Sequence, residues 1–253
     1  MKVIISGYGK MGRIIAQMAL ERGHKINAIV EPNDGVPGAF KSIAALPADS
    51  VDSAVIIDFS HPLAAVENIT QAAERKIPVV VGTTGWYDRL DEVKTIIKKH
   101  ESAMLYAANF SLGVNIFYKI SEYAAALFDK FTEYDVGGVE FHHNKKADSP
   151  SGTAKAISER VIASMTRKKT AVYEKLDRPP EAEELHFASV RVGNVPGTHS
   201  LYFDSPADSI EITHTARSRE ALASGALAAA QWLDSRSAAG NRGVFTMEDV
   251  LKC

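Results

Sequence analysis

The sequence predicts an α/β fold in two parts. A parallel, helix-wrapped sheet comes first, and a smaller α+β region with a mixed sheet follows. Three observations predict this. Short β-branched runs alternate with helical patterns over the first hundred residues, which is how parallel sheets are encoded. A glycine-rich turn joins the first strand to the first helix. Later in the chain the alternation gives way to consecutive strands separated by turn residues.

Composition narrows the class. At 253 residues the chain holds one large or two modest domains. A hydrophobic content of 45% and a charged content of 24% exclude disordered and fibrous classes. A formal charge of −2 argues against a general nucleic-acid binder. No run has the length of a membrane span, and MKVIISGYGK is too short an apolar start for a signal peptide. The single cysteine, Cys253, allows neither an internal disulfide nor a zinc cage, so no metal is expected. A cytoplasmic, soluble protein is the expectation.

Lys2–Ser6 reads as a buried parallel strand running into Gly7-Tyr8-Gly9-Lys10-Met11-Gly12, a GxGxxG. Helical spacing follows to Gly23, then a strand over Lys25–Val30 and an acid, Glu31, 19 residues after Gly12. That context makes the motif a Rossmann dinucleotide-binding fingerprint. Gly7 permits the tight turn, Gly9 the approach of a pyrophosphate, and Gly12 close packing of helix on strand. Glu31 suits a free ribose 2′-hydroxyl, which favours NADH. Pro32 and Asn33 follow it with no arginine for a 2′-phosphate, while Lys10 keeps NADPH as the alternative.

Strands are expected at 54–59, 78–81 and Ala103–Tyr106, with helices at 60–76 (Pro62 in its first turn) and 88–100. Ligands of such sheets sit at the carboxyl ends of strands. That places Phe59, Gly82-Thr83-Thr84 and Ala107-Ala108-Asn109-Phe110 on the cofactor side, although Phe59 is equally a core residue by type. A helix at 111–130, a strand at 133–143 and a helix at 154–167 follow. The proline-bearing KLDRPPEAEEL reads as an exposed loop, and three strands come after it at 188–192, 198–203 and Ser209–Thr215. A small-residue helix at 218–235 ends the pattern. Arg219 in its first turn either reaches a ligand or is an exposed helix arginine. The expected division is 1–108 with 216–253 for the dinucleotide, and 109–215 for substrate binding and oligomerisation.

The most chemically loaded stretch is EFHHNKKADSPSGTA, residues 140–154. It combines two imidazoles (His142, His143), two amines (Lys145, Lys146) and a Ser151-Gly152-Thr153 helix start. A helix N-terminus carries unpaired N–H donors and partial positive charge, so it receives anions. An imidazole supplies a proton near neutrality. Adjacent residues on a strand face opposite ways, so one histidine of the pair can be idle. The expectation is a cleft for a small, multiply charged acid.

With these residues together, the chain resembles the 4-hydroxy-tetrahydrodipicolinate reductase (dihydrodipicolinate reductase) family over nearly its whole length. The matching pieces are GYGKMG, IDFSHP, VGTTGW, AANFSLGVN, EFHHNKKADSPSGTA, RVGNVPGTHSLYF, EITHTARSR and VFTMEDVL. The resemblance implies NAD(P)H-dependent reduction of a small cyclic dicarboxylate in lysine and diaminopimelate biosynthesis by a cytoplasmic homotetramer. It implies His142 as proton donor, Lys146 as a substrate contact and further proton donor, and His143 and Ser151-Gly152-Thr153 as substrate ligands. Cofactor contacts fall on the glycine loop, Glu31, 82–84, 107–110 and Arg219. Two departures touch cofactor choice: the glycine loop is one residue shorter than the family's common form, and no basic residue follows Glu31. The rival readings are another dehydrogenase on the same fold, or a non-enzymatic nucleotide-binding regulator.

Overall fold

The computed structural model describes residues 1–252; Cys253 lies outside the described residues. In chain order the elements are β1 (Lys2–Ser6), α1 (Lys10–Glu21), β2 (Lys25–Val30), α2 (Ala48–Val51), β3 (Ala54–Asp58), α3 (Pro62–Glu74), β4 (Val79–Val81), a 3-10 turn (Tyr87–Arg89), α4 (Leu90–Lys99) and β5 (Ala103–Tyr106). They continue with α5 (Leu112–Phe128), β6 (Asp135–His142), α6 (Gly152–Ser164), β7 (Thr170–Val172), β8 (Glu184–Arg191), β9 (Thr198–Asp204), β10 (Ser209–Thr215), α7 (Glu220–Ala238), β11 (Gly243–Phe245) and α8 (Met247–Val250). Two compact units divide this chain, one of Met1–Leu112 with 219–252 and one of Gly113–Ser218. The breaks fall at 112 and 219, not at the expected 108 and 216, because they coincide with the starts of α5 and α7.

The first unit is a six-stranded sheet in the order β11-β5-β4-β3-β1-β2, with every pairing parallel. Its strands read as unbroken apolar runs because both faces are covered. Alternation divides them. Ile4, Ile56, Val79, Val81 and Met104 pack with residues of α3 and α4. Val3, Ile5, Val55, Ile57, Val80 and Leu105 pack with residues of α1 and α7. The α7 helix lies close because five of its seven buried residues are small, Ala223, Gly225, Ala226, Ala229 and Ala230, beside Leu227 and Leu233. A Cβ at Gly225 would stand 1.6 Å from the Phe110 carbonyl oxygen, so only a bare backbone fits.

The second unit is a five-stranded mixed sheet in the order β10-β9-β6-β8-β7. β9 runs antiparallel to β6 and β10, whereas β8 runs parallel to β6 and β7. One face packs on α5 and α6: Val136, Leu185, Phe187, Leu201 and Phe203 meet Val114, Phe117, Ala154, Ile157 and Val161. The opposite face presents Val139 and Phe141, half-buried, with exposed Val190 and Tyr202.

Four short elements differ from the sequence expectation. β7, β11, α2 and α8 span three or four residues each, too few to show a period. β8 begins at Glu184, inside the stretch expected to be loop, since Leu185 and Phe187 alternate into the core. α6 begins at Gly152, two residues before the expected start, because Ser151 caps it.

Gly225→Ala should force the Phe110 backbone aside and cost about 1–3 kcal/mol. Urea unfolding should show this as a lowered midpoint at unchanged slope.

Candidate active site

In the first unit the functional groups gather where β1, β3 and β4 end. Gly7 takes φ +84°, and a Cβ there would meet the Phe59 carbonyl oxygen at 2.4 Å. A Cβ at Gly12 would meet the Gly7 carbonyl oxygen at 2.0 Å, so α1 sits directly on the turn. Gly9, the N-cap of α1, has open space where its Cβ would be. The three glycines thus differ: a Cβ would clash at Gly7 and Gly12 but would meet open space at Gly9. Tyr8 donates its backbone N–H to Glu31 Oε2 at 2.9 Å, and Asn33 donates both N–H (3.1 Å) and Nδ2 (2.8 Å) to Oε1. Burial pushes the Glu31 carboxyl up, but these donors outweigh it and hold the group below its ordinary range.

Beneath the loop lies Asp58, fully buried. Ser6 and Thr83 donate hydroxyls to it at 2.6 Å each, Ser60 donates at 2.9 Å, and Asn68 Nδ2 at 2.9 Å. Ser60 in turn donates its N–H to Thr83 Oγ1 at 2.8 Å. This carboxylate ties the ends of three strands together. It was not singled out from the sequence; the signal was a lone acid closing an otherwise apolar strand, AVIID.

A cleft of about 370 Å³ opens between Gly7, Gly9, Glu31, Ser60, His61 and Asn68. Lys41 also lines it, with Nζ on Asp34 Oδ1 (2.7 Å) and the Pro32 carbonyl (3.0 Å). So a cation does stand near Glu31, ten residues along the chain where adjacency in sequence could not show it. A bare glycine at a helix start and an ionised acid at the end of β2 fit the pyrophosphate and ribose of a dinucleotide.

The remaining expected cofactor residues divide by exposure. Lys10 and Thr84 are exposed, as are Ala108 and Arg219, the N-cap of α7. Met11 and Ala107 are half-buried in the core. The Phe59 ring lies over Gly82, where a Cβ would come within 2.2 Å of its Cζ, and its centroid is 5.9 Å from that of Phe110. Phe110 is buried and Thr83 spends its hydroxyl on Asp58, so these two side chains are structural and only their backbones remain for a ligand. Asn109 turns its Oδ1 back to accept from the Ser111 N–H at 2.8 Å.

In the second unit, strand register assembles the chemistry. Pairing places Glu140 of β6 beside Ser189 of β8 and His199 of β9, and places His142 beside Arg191. All face the helix-covered side. Glu140 is fully buried. Its Oε1 accepts from Ser189 Oγ (2.8 Å), the Ser151 N–H (3.0 Å) and Arg191 Nη2 (3.0 Å). Its Oε2 faces His142 Nε2 and His199 Nε2, each at 3.3 Å, long and imperfectly aligned for hydrogen bonds. Burial alone would raise this carboxyl. The His199 imidazole and the Ser151 and Ser189 donors outweigh it and hold the group far below its ordinary range. With Arg191 balancing its charge and Oε1 saturated, Glu140 is a hydrogen-bonded structural anion.

His142 turns Nε2 into this cluster, 3.4 Å from His199 Nε2. Burial lowers its tendency to hold a proton; the Glu140 charge opposes this, while His199, Lys146 and Arg191 add to it. Its other edge lies against Gly197, where a Cβ would meet Cε1 at 2.8 Å and Nδ1 at 3.2 Å. His143, past the strand end, is half-buried with Nδ1 unpartnered. Lys146 Nζ pairs with Asp148 Oδ1 at 2.7 Å. Ser151 caps α6, its Oγ accepting from the Ala154 N–H at 3.1 Å and lying 3.2 Å from His199 Nε2. Gly152 and Thr153 are therefore the first two helical residues, whose N–H groups have no intrahelical acceptor. The unit brings His142, Ser151 and the start of α6 together through Glu140. Sequence reading passed over Glu140, His199, Ser189 and Arg191, which register alone unites.

Residues 1–110 match the family model "Dihydrodipicolinate reductase, N-terminus", and residues 113–251 match "Dihydrodipicolinate reductase, C-terminus". The chain belongs to the dihydrodipicolinate reductase family. It is 38% identical over 251 residues to a 4-hydroxy-tetrahydrodipicolinate reductase of Christiangramia forsetii, covering 99% of this chain and 98% of that protein. The corresponding Archaeoglobus fulgidus protein is 36% identical over the full length of both. Among solved structures, a dipicolinate-bound dihydrodipicolinate reductase from Paenisporosarcina sp. TG-14 superposes with a TM-score of 0.80 at 20% identity, covering 99% of each chain. That likeness establishes the fold.

His142 and Glu140, with other shifted groups such as His214, Glu31 and Asp249, make this reductase-family chain acid-sensitive. A histidine whose folded pKa is lowered contributes stability that is lost as pH falls below its ordinary 6.5, and a depressed carboxyl contributes stability lost below its ordinary 4.5. Urea unfolding across pH should therefore weaken in two stages. Glu140→Gln should shrink the lower stage, to which other depressed carboxyls such as Glu31 also contribute, and an unchanged acid limb would contradict the assignment.

Proposed function

We propose that this chain reduces 4-hydroxy-tetrahydrodipicolinate (dihydrodipicolinate) to tetrahydrodipicolinate with NAD(P)H, a step of lysine and diaminopimelate biosynthesis. The observation that carries this reading is the junction of a buried imidazole and an anion-receiving helix start on one buried carboxylate. Family membership supplies the substrate class. When bound, the reduced nicotinamide supplies hydride. The glycine loop from Gly7 to Gly12, Glu31, Phe59, Gly82–Thr84, Ala107–Phe110 and Arg219 hold the dinucleotide. NADH is favoured, because Glu31 is kept ionised where a 2′-hydroxyl would donate to it, and Lys41 is already engaged by Asp34.

His142 delivers the proton from its Nδ1 edge beside Gly197, with Nε2 oriented by Glu140. The N–H groups of Gly152 and Thr153, the Ser151 cap, His143 and Lys146 hold and neutralise the substrate carboxylates. A positioned general acid contributes about 10²–10⁴-fold. His142→Gln should lose kcat within that range at little change in KM, while Lys146→Ala should lose kcat and raise KM together. A coupled assay with enzymatically generated substrate tests both variants and compares NADH with NADPH. Full activity in His142→Gln would remove that residue from the role.

Cytoplasmic action is part of the reading; among the described residues no helix is long and apolar enough to cross a membrane. A homotetramer built on the open face of the mixed sheet completes it, supported by Val139, Phe141, Val190 and Tyr202 standing uncovered there. Tyr202→Asp should shift the mass measured by light scattering towards monomer.

A further inference from the structure

His199 stands at the centre of the buried cluster and has no part in the reading above. Three groups crowd its Nε2: Ser151 Oγ at 3.2 Å, Glu140 Oε2 at 3.3 Å and His142 Nε2 at 3.4 Å. Its rings and those of His142 meet edge to face, with centroids 5.1 Å apart. Its Nδ1 is buried with no partner. A proton on Nδ1 would be an orphaned donor, so the tautomer carrying the proton on Nε2 is the one the surroundings accept.

We infer that His199 is a positioning residue for the reduction, joining the imidazole of His142 to the Ser151 cap of α6 through the shared carboxylate of Glu140. This rests on the proposed reaction for its catalytic consequence, but its geometric content stands apart from it. Through Nε2, His199 fixes two things at once. One is the orientation of Ser151, and with it the first N–H groups of α6. The other is the side of the His142 ring that faces inward. Loss of His199 therefore disturbs substrate binding and proton delivery together, as two separate contacts would not.

The charged and titratable groups around His142 come from every strand packed against it: Glu140 on β6, Arg191 on β8, His199 on β9 and Lys146 in the following loop. Glu140 favours its charged form, and the other three oppose it. Removing His199 and neutralising Glu140 must therefore move its titration in opposite directions.

The test uses the full chain with His199→Leu, His199→Gln and Glu140→Gln. In steady-state assays, His199→Leu should lose kcat by up to about 10²-fold, the effect of a misplaced catalytic group, with raised KM for the substrate and unchanged KM for the dinucleotide. His199→Gln keeps an N–H at the same reach and should recover most of kcat. In proton NMR, the His142 ring should titrate at higher pH in both His199 variants and at lower pH in Glu140→Gln. If His199→Leu does not fold, the His142 titration in the glutamine variant decides. Wild-type kcat in both His199 variants, or a His142 titration unmoved by them, overturns the inference. So does stoichiometric zinc binding by the wild type that His199→Gln abolishes. Absence of turnover in the wild type would instead defeat the proposed reaction, leaving the titration to decide the role of His199.

Discussion

Glu140 is a charged side chain with no exposed surface, and much of the second unit is arranged to supply its needs. A buried carboxylate without partners is among the costliest groups a fold can contain. Here donors come from β8, from β9 and from the start of α6. Each donor is thereby fixed relative to the others. The energetic demand of one anion becomes the geometric definition of a site: the ring of His142 is oriented from behind, and the helix start is anchored beside it.

The first unit repeats the device with different chemistry. Asp58 is equally buried, but its hydrogen-bond donors are two serines, a threonine and an asparagine. The network joins the ends of β1 and β3 to the loop after β4, the region where the glycine turn must be held rigid. Arg191 balances the buried charge in one unit, and neutral dipoles solvate it in the other. Lys41 and the free amides around Gly9 leave the cleft of the first unit with its own cationic features at the rim, away from the buried acid.

The degree to which this was legible in the sequence follows the range of the forces involved. Local patterns gave β1, β2, β5 and β10 with their bounds, because turn chemistry and apolar runs are encoded within a few residues. The glycine fingerprint and the PSGTA helix start were legible for the same reason. The short elements β7, β11, α2 and α8 had no period to read, and β8 was masked by the charge and proline density of the segment before it. Register was beyond reach. Glu140 and His199 are 59 residues apart in the chain, and only the antiparallel pairing of β6 with β9 makes them neighbours. Lys41 was missed similarly, since proximity to Glu31 comes from the return of the chain after a loop. The side chains of Thr83 and Phe110 fell in the expected places but proved to be structural, because position at a strand end does not reveal which way a side chain points.

The first unit is discontinuous: its layer against Val3, Ile5, Val55 and Leu105 is completed by α7, which is made only after the whole second unit. Until α7 emerges, β1, β3, β4 and β5 have one apolar surface only partly covered, by α1. The uninterrupted second unit has all of its own core partners earlier in synthesis. The nascent chain is thus most exposed to aggregation in its oldest segment, and a truncated message would yield a product with one finished unit and one unable to close.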